Sequence, residues 1–346
     1  MHVRLEPEDD LFHAPDDDQN YNESRYYNFL DATASSSAGG FGGWVRMGNR
    51  PNEHYAEMTV CLYLPDGRVG FMFKRPHIEG HVAHDAGGLK FDVVTPYEEH
   101  HVTYDGYVCV LANPRDMSDP GTAFKLNPHE ECSLDLRLTA VSHPSGGEPI
   151  YDEGEAPPPG SAHSFARGHT EQQMAITGIA RVGGHRFDLD RAFGLRDHSW
   201  GPRVWQSIWW YRWVTASFDG GLGLACTVRG NQEDPDFRNV NGWVFDVDRY
   251  GDGRVVKVRD MQLSSEYDDE WFVRRSDVVI TTDDHTYEMH GEVSASIPLR
   301  NRREGLVTRL TEGMTRWSVG DRQGAGLSEY LDQVVDDVPV GTTVGL

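Results

Sequence analysis

Residues 57–73 read EMTVCLYLPDGRVGFMF. Met58, Val60, Leu62 and Leu64 recur at every second position, Pro65-Asp66-Gly67 supplies a turn, and Val69, Phe71 and Phe73 resume the same period. Successive side chains of a strand point to opposite faces, so this spacing predicts a β-hairpin with one apolar face. The same period extends outward in both directions. It recurs at 89–94, 102–111 and 132–141, where Leu134, Leu136 and Leu138 face one way and Asp135 and Arg137 the other, and in a hairpin over 173–189 turning at Gly183-Gly184. Further strands are predicted at 207–218, 222–228, 242–248, 255–263, 271–281, 286–297 and 315–319. Helix is expected only at 327–335 and in a short piece near 28–34. Many short strands joined by glycine turns predict an all-β chain with a barrel or sandwich in each half.

A length of 346 residues suits two domains rather than one. The divisions expected are an acidic arm at 1–20, an N-terminal domain at 21–192 and a C-terminal domain at 193–346. The arm carries Glu6, Glu8, Asp9, Asp10, Asp16, Asp17 and Asp18 against a single arginine, a composition that predicts a solvated segment on the surface without a catalytic role. Small residues at Ser35–Gly43 and a Pro/Gly/Ser-rich stretch at 143–168, including Pro157-Pro158-Pro159, read as loops. The net charge of −23, from 55 acidic and 32 basic residues, argues against nucleic acid and against an anionic membrane surface as partners. Cys61, Cys109, Cys132 and Cys226 lie far apart in apolar runs and read as reduced core residues. There is no apolar run of 18 residues and no signal-peptide pattern at the start, so no membrane insertion and a cytoplasmic location are expected.

The chain has no GxSxG elbow, Walker loop or HExxH, and Gly324-Ala325-Gly326 lacks the strand-turn-helix context of a dinucleotide site. Its densest cluster of unusual residues runs from Gly194 to Arg203, followed by Trp205, Trp209, Trp210, Tyr211 and Trp213. In an extended segment His198 and Trp200 share a face, and Asp197 and Ser199 share the other. An imidazole beside an aromatic plate suits proton chemistry on an apolar substrate. The same residues could equally form a structural network, with Arg196 and Arg203 paired to acids and His198 bonded to a carbonyl. His169 and Glu171 share a face and offer two metal ligands, but His81, His84, His100, His101 and His129 show no spacing that supplies a third. No metal and no cofactor are therefore expected.

RDHSWGPR (196–203), with HTEQ (169–172), RMGNRPNE (46–53) and GAGLSEY (324–330), resembles the superfamily of AttH-like proteins and carotenoid hydratases (hydroxyneurosporene synthases). The resemblance implies two successive lipocalin-like domains with a cavity at or near their junction. Carotenoid hydratases add water to an isolated trisubstituted double bond, and similar fungal proteins are Diels–Alder cyclases. The family's His-x-Trp pair corresponds to His198 and Trp200. Its downstream Tyr-x-Asp pair has no counterpart, because Phe218-Asp219 lacks the tyrosine and the spacing. The resulting expectation is a cofactor-independent hydratase, lyase or isomerase acting by proton transfer on an apolar isoprenoid, steroid or polyketide-like molecule. His198, Asp197, Trp200 and Glu171 would be catalytic, and His169, Arg196, Trp205, Trp209, Tyr211 and Trp213 would bind the substrate. A pericyclase and a non-catalytic carrier of a small hydrophobic ligand are the alternatives. The sequence leaves the oligomeric state open.

Overall fold

The computed structural model describes residues 2–31, 40–152, 154, 165–219, 221–234, 236–303 and 305–343. Residues 35–39 of the small-residue loop and Pro157-Pro158-Pro159 lie outside them. The period-two pattern does become strands, and these are antiparallel throughout and gathered in two sheets. The chain divides into two compact units: Met1–Pro65, Val69–Leu111 and Asn127–Val204 form the first, and Asp66–Arg68, Ala112–Leu126 and Trp205–Leu346 the second.

In the first unit eight strands pair in chain order: Tyr21–Asp31, Phe41–Arg50, Tyr55–Tyr63, Val69–Lys74, Glu99–Leu111, His129–Ala140, Gly168–Val182 and His185–Pro202. The last pairs back onto the first, so the ladder closes on itself as an up-and-down ring. Closure satisfies backbone groups that an open sheet would leave at its edges. The hairpin at 57–73 forms as its pattern predicts, with Met58 opposite Lys74 and Tyr63 opposite Val69. Its two faces are not polar and apolar, however. Thr59, Cys61 and Tyr63 are as buried as Met58, Val60 and Leu62, while Phe73 is exposed.

The second unit is a meander whose pairing order runs Val255–Lys257, Asn239–Asp246, Leu222–Gly230, Trp210–Phe218, Arg322–Val335, Leu306–Val319, Thr286–Arg303, Val273–Thr281 and Asp260–Tyr267. Trp210, Trp317, Tyr330, Val214 and Leu224 belong to its core.

Four sequence expectations are corrected. Residues 28–31 are extended, within Tyr21–Asp31. Residues 327–335 are strand, not helix, because Arg322–Val335 is hydrogen-bonded on both sides, to Trp210–Phe218 and to Leu306–Val319. Gly326 permits that approach: a Cβ there would lie 1.7 Å from the carbonyl oxygen of Thr215. The boundary at 192/193 falls inside the continuous strand His185–Pro202, and the units part at Val204/Trp205. The acidic arm is also not uniformly solvated. Pro7–Asp10 forms a short 3-10 turn in which Asp9 and Asp10 are buried, because cationic and imidazole partners await their carboxylates.

Candidate functional site

The site residues of the first unit are positioned by the strand His185–Pro202, which lies between Tyr21–Asp31 and Gly168–Val182. His198 stands opposite Arg25 and Thr170, Trp200 opposite Glu23 and Gly168, and Asp197 opposite Tyr26 and Glu171. Paired residues share a face and neighbours alternate, so Arg196, His198 and Trp200 join Glu23 and Arg25 on one side. Asp197 joins Glu171, His169 and Ser199 on the other. Gly168 makes room for Trp200, since a Cβ there would sit 2.1 Å from the indole Cζ2.

The first face is buried and polar, and the N-terminal segment completes it. Asp10 accepts hydrogen bonds from Arg25 Nη1 (3.0 Å), Arg196 Nη2 (2.5 Å), His100 Nε2 (3.0 Å) and the Tyr97 amide (2.6 Å). Burial alone would raise its pKa, but Arg196, the His100 bond and Arg25 outweigh that and hold it well below the usual carboxylate range. Tyr27 donates its hydroxyl proton to His100 Nδ1 at 2.8 Å, and burial lowers His100 to about 4, so this imidazole is neutral at pH 7.

Glu23, fully buried, collects histidines. Its carboxylate meets His13 Nδ1 at 3.1 Å, His198 Nε2 at 2.9 Å and His81 Nε2 at 2.8 Å, and His84 Nε2 donates to its backbone carbonyl at 3.0 Å. These bonds hold Glu23 ionised against the opposing effect of burial. His13 also stacks on Trp200, with ring centroids 3.9 Å apart and planes inclined by 11°. Burial and the nearby Arg25 charge lower His198 to about 3. It is a neutral imidazole whose Nε2–H donates to Glu23 and whose buried Nδ1 has no hydrogen-bond partner.

The second face is more open. His169, with 39% of its side chain exposed, hydrogen-bonds through Nε2 to Asp197 Oδ2 and has Glu171 Oε1 at 3.9 Å. Burial opposes its charge, yet Asp197 and then Glu171 raise it to about 9, so at neutral pH it is an imidazolium between two carboxylates. Such a group can donate a proton and be reprotonated from solvent.

Residues 6–334 match the model of a family described as a domain of unknown function, DUF7064. The chain belongs to that family. A search of curated protein sequences found no match. Among solved structures, this DUF7064 chain is similar to a Nitrosomonas europaea protein provisionally assigned as AttH (NE1406), at 13% identity, with a TM-score of 0.57, over 95% of this chain and 96% of that one. At that identity the likeness concerns the fold.

Of the ten site residues expected from the sequence, His169, Glu171, Arg196, Asp197, His198 and Trp200 lie in the first unit and Trp205, Trp209, Tyr211 and Trp213 in the second. Tyr211 and Trp213 are buried there, the Tyr211 hydroxyl donating to Glu329, and Trp209 packs on that unit's core. Asp197 does not orient His198, because alternation sends the two to opposite faces; Glu23 does so instead. Arg196 is bonded to Asp10 and Thr170. The spacing argument against a metal also fails, since the fold supplies third ligands from a neighbouring strand in one case and from the N-terminal segment in the other. His169, Glu171 and Asp197 form one group of ligand atoms within 4.8 Å of one another, and His13, Glu23 and His198 form a second. Sequence reasoning missed Asp10, His13, Glu23 and Arg25. A signal was present in the last two: Tyr21, Glu23, Arg25, Tyr27 and Phe29 alternate on one strand face, and charges set among aromatics on one face mark buried groups that must find partners elsewhere.

Proposed function

We propose that this DUF7064 chain is an enzyme of the hydratase, lyase or isomerase type, acting on a small apolar molecule by proton transfer, with His169 as general acid. The observation that carries this reading is the His169 imidazole held between Asp197 and Glu171 on a face that solvent reaches. Proton transfer to carbon needs an acid that is charged at working pH, touches the substrate and regains its proton afterwards. His169 meets these conditions better than His198, which is sealed from solvent and neutral. Asp197 holds the ring and stabilises its charge, while Glu171 is placed to receive a proton from substrate or water. The AttH-like fold is compatible with an enzyme or a binding protein, and the apolar substrate class is carried over from the sequence resemblance.

The test is turnover in heavy water on a panel of isoprenoid, steroid and polyketide olefins. One deuterium bound to carbon in the product, a rate that falls above about pH 9, and loss of turnover in His169→Asn are the results expected. A product without carbon-bound deuterium would replace proton addition with a concerted cyclisation. Saturable ligand binding without turnover would make the protein a carrier.

A further inference from the structure

Glu23 is a buried anion whose ion-pairing partners are imidazoles. The pairs given to it are His13 Nδ1, His198 Nε2 and His81 Nε2, from the N-terminal segment, the strand His185–Pro202 and the segment before His84. The side chains of Glu23 and His198 are 0% exposed and that of His81 is 6% exposed. The His13 amide and the Tyr21 hydroxyl also donate to this carboxylate and the Arg25 charge lies near it, but the side-chain nitrogens paired with it are three converging imidazoles. His13 Nδ1, His198 Nε2 and a Glu23 oxygen lie within 4.8 Å of one another, so small side-chain shifts bring all three within the roughly 4.4 Å span that an ion about 2.0–2.2 Å from each can bridge.

One independent detail fits a ligand set. His13 turns its remaining nitrogen, Nε2, toward Asp9 Oδ1 at 3.4 Å, and Asp9 is itself fixed by Arg4. A carboxylate behind a ligating histidine is the usual device for orienting the ring and raising its basicity.

We infer that His13, His198 and Glu23, with His81 at the second oxygen of Glu23, form a binding site for a divalent first-row transition metal such as zinc. Imidazole nitrogens with one carboxylate suit zinc, iron or manganese better than magnesium or calcium, which take oxygen ligands. This inference goes beyond the proposed function, since His169, Glu171 and Asp197 occupy the opposite strand face.

The experiment uses the full chain, treated with chelator, dialysed, and titrated with Zn2+ by calorimetry. About one equivalent should bind, with a dissociation constant of about 1 μM or tighter. His13→Ala and His198→Ala should each abolish binding, with folding checked by circular dichroism. Asp9→Asn should weaken it roughly 10- to 100-fold, and His169→Ala should leave it unchanged. Absence of saturable binding overturns the site, and so does binding that His169→Ala removes while His13→Ala retains it. Should the alanine variants fail to fold, the wild type decides: pulsed EPR of bound Cu2+ must show at least two histidine nitrogens. One or none would overturn the assignment, because the His169 group contains a single histidine. None of these outcomes bears on proton transfer by His169, which the heavy-water test decides separately.

Discussion

Asn in place of Asp10 removes one negative charge and leaves its shape almost unchanged. Asp10 receives Arg25, Arg196, His100 and the Tyr97 amide, and the two guanidinium groups around it are at most 1% exposed. Deleting one partner of a buried ionic cluster leaves the remaining charges without compensation, which costs about 3–5 kcal/mol. That is a factor of roughly 10²–10³ or more in the ratio of folded to unfolded first unit. Asp17→Asn, at an exposed position seven residues along, should stay within about 0.5 kcal/mol of wild type. The assay is urea unfolding followed by circular dichroism and tryptophan fluorescence, with Arg196→Met and the double variant completing a cycle. Because Arg196→Met removes one of the stranded cations, the double variant should lose less than the sum of the singles. A loss below 1 kcal/mol in Asp10→Asn, or strict additivity, would refute the argument that this carboxylate anchors the N-terminal segment.

Acid should destabilise the protein before its carboxylates titrate. His100, lowered to about 4, and His84, held well below the usual histidine range by burial, stay neutral in the fold, whereas unfolded histidine takes up a proton near pH 6.5. The unfolded state therefore binds more protons below pH 6.5, and stability should fall by about 1.4 kcal/mol per pH unit per group down to the folded pKa. Asp10, held low, adds a further loss only below about pH 4. Denaturation midpoints measured from pH 7.5 to 4.5 check this, and a flat profile would contradict neutral burial. Gly168→Ala drives a methyl into the Trp200 ring and should cost about 1–3 kcal/mol with a shift in tryptophan emission; unchanged emission and stability would show that the ring moves freely aside. All four cysteines are buried, and burial pushes Cys132 up to about 12, so a thiol reagent should modify none in the native protein and all four in urea. Rapid labelling of the native protein would contradict that burial.

The strands were legible because their period is a local property: Met58, Val60, Leu62 and Leu64 need only their own neighbours to declare a pleat. What period two does not report is whether the opposite face is also covered, as at Thr59, Cys61 and Tyr63. The site was half legible. His169, Glu171, Asp197 and His198 were singled out by type and spacing, but their grouping depends on pairing across strands, which put Asp197 with His169 and gave His198 to Glu23. The 327–335 error has the same origin, since the two flanking strands of Arg322–Val335 come from residues 210–218 and 306–319. Asp10 was illegible for a further reason. Its charge reads as solvation among six other acids, and only four partners between positions 25 and 196 convert it into an anchor.

The closed ring of the first unit also sets a timetable for synthesis. Asp10 leaves the ribosome 186 residues before Arg196, and the strand carrying Arg196 is the one that closes the ladder onto Tyr21–Asp31. At about 5–20 residues per second that interval lasts roughly 10–40 s. Until that strand emerges the nascent chain presents the strand Tyr21–Asp31 with one edge unpaired and Glu23 still lacking His198, a natural target for holdase chaperones.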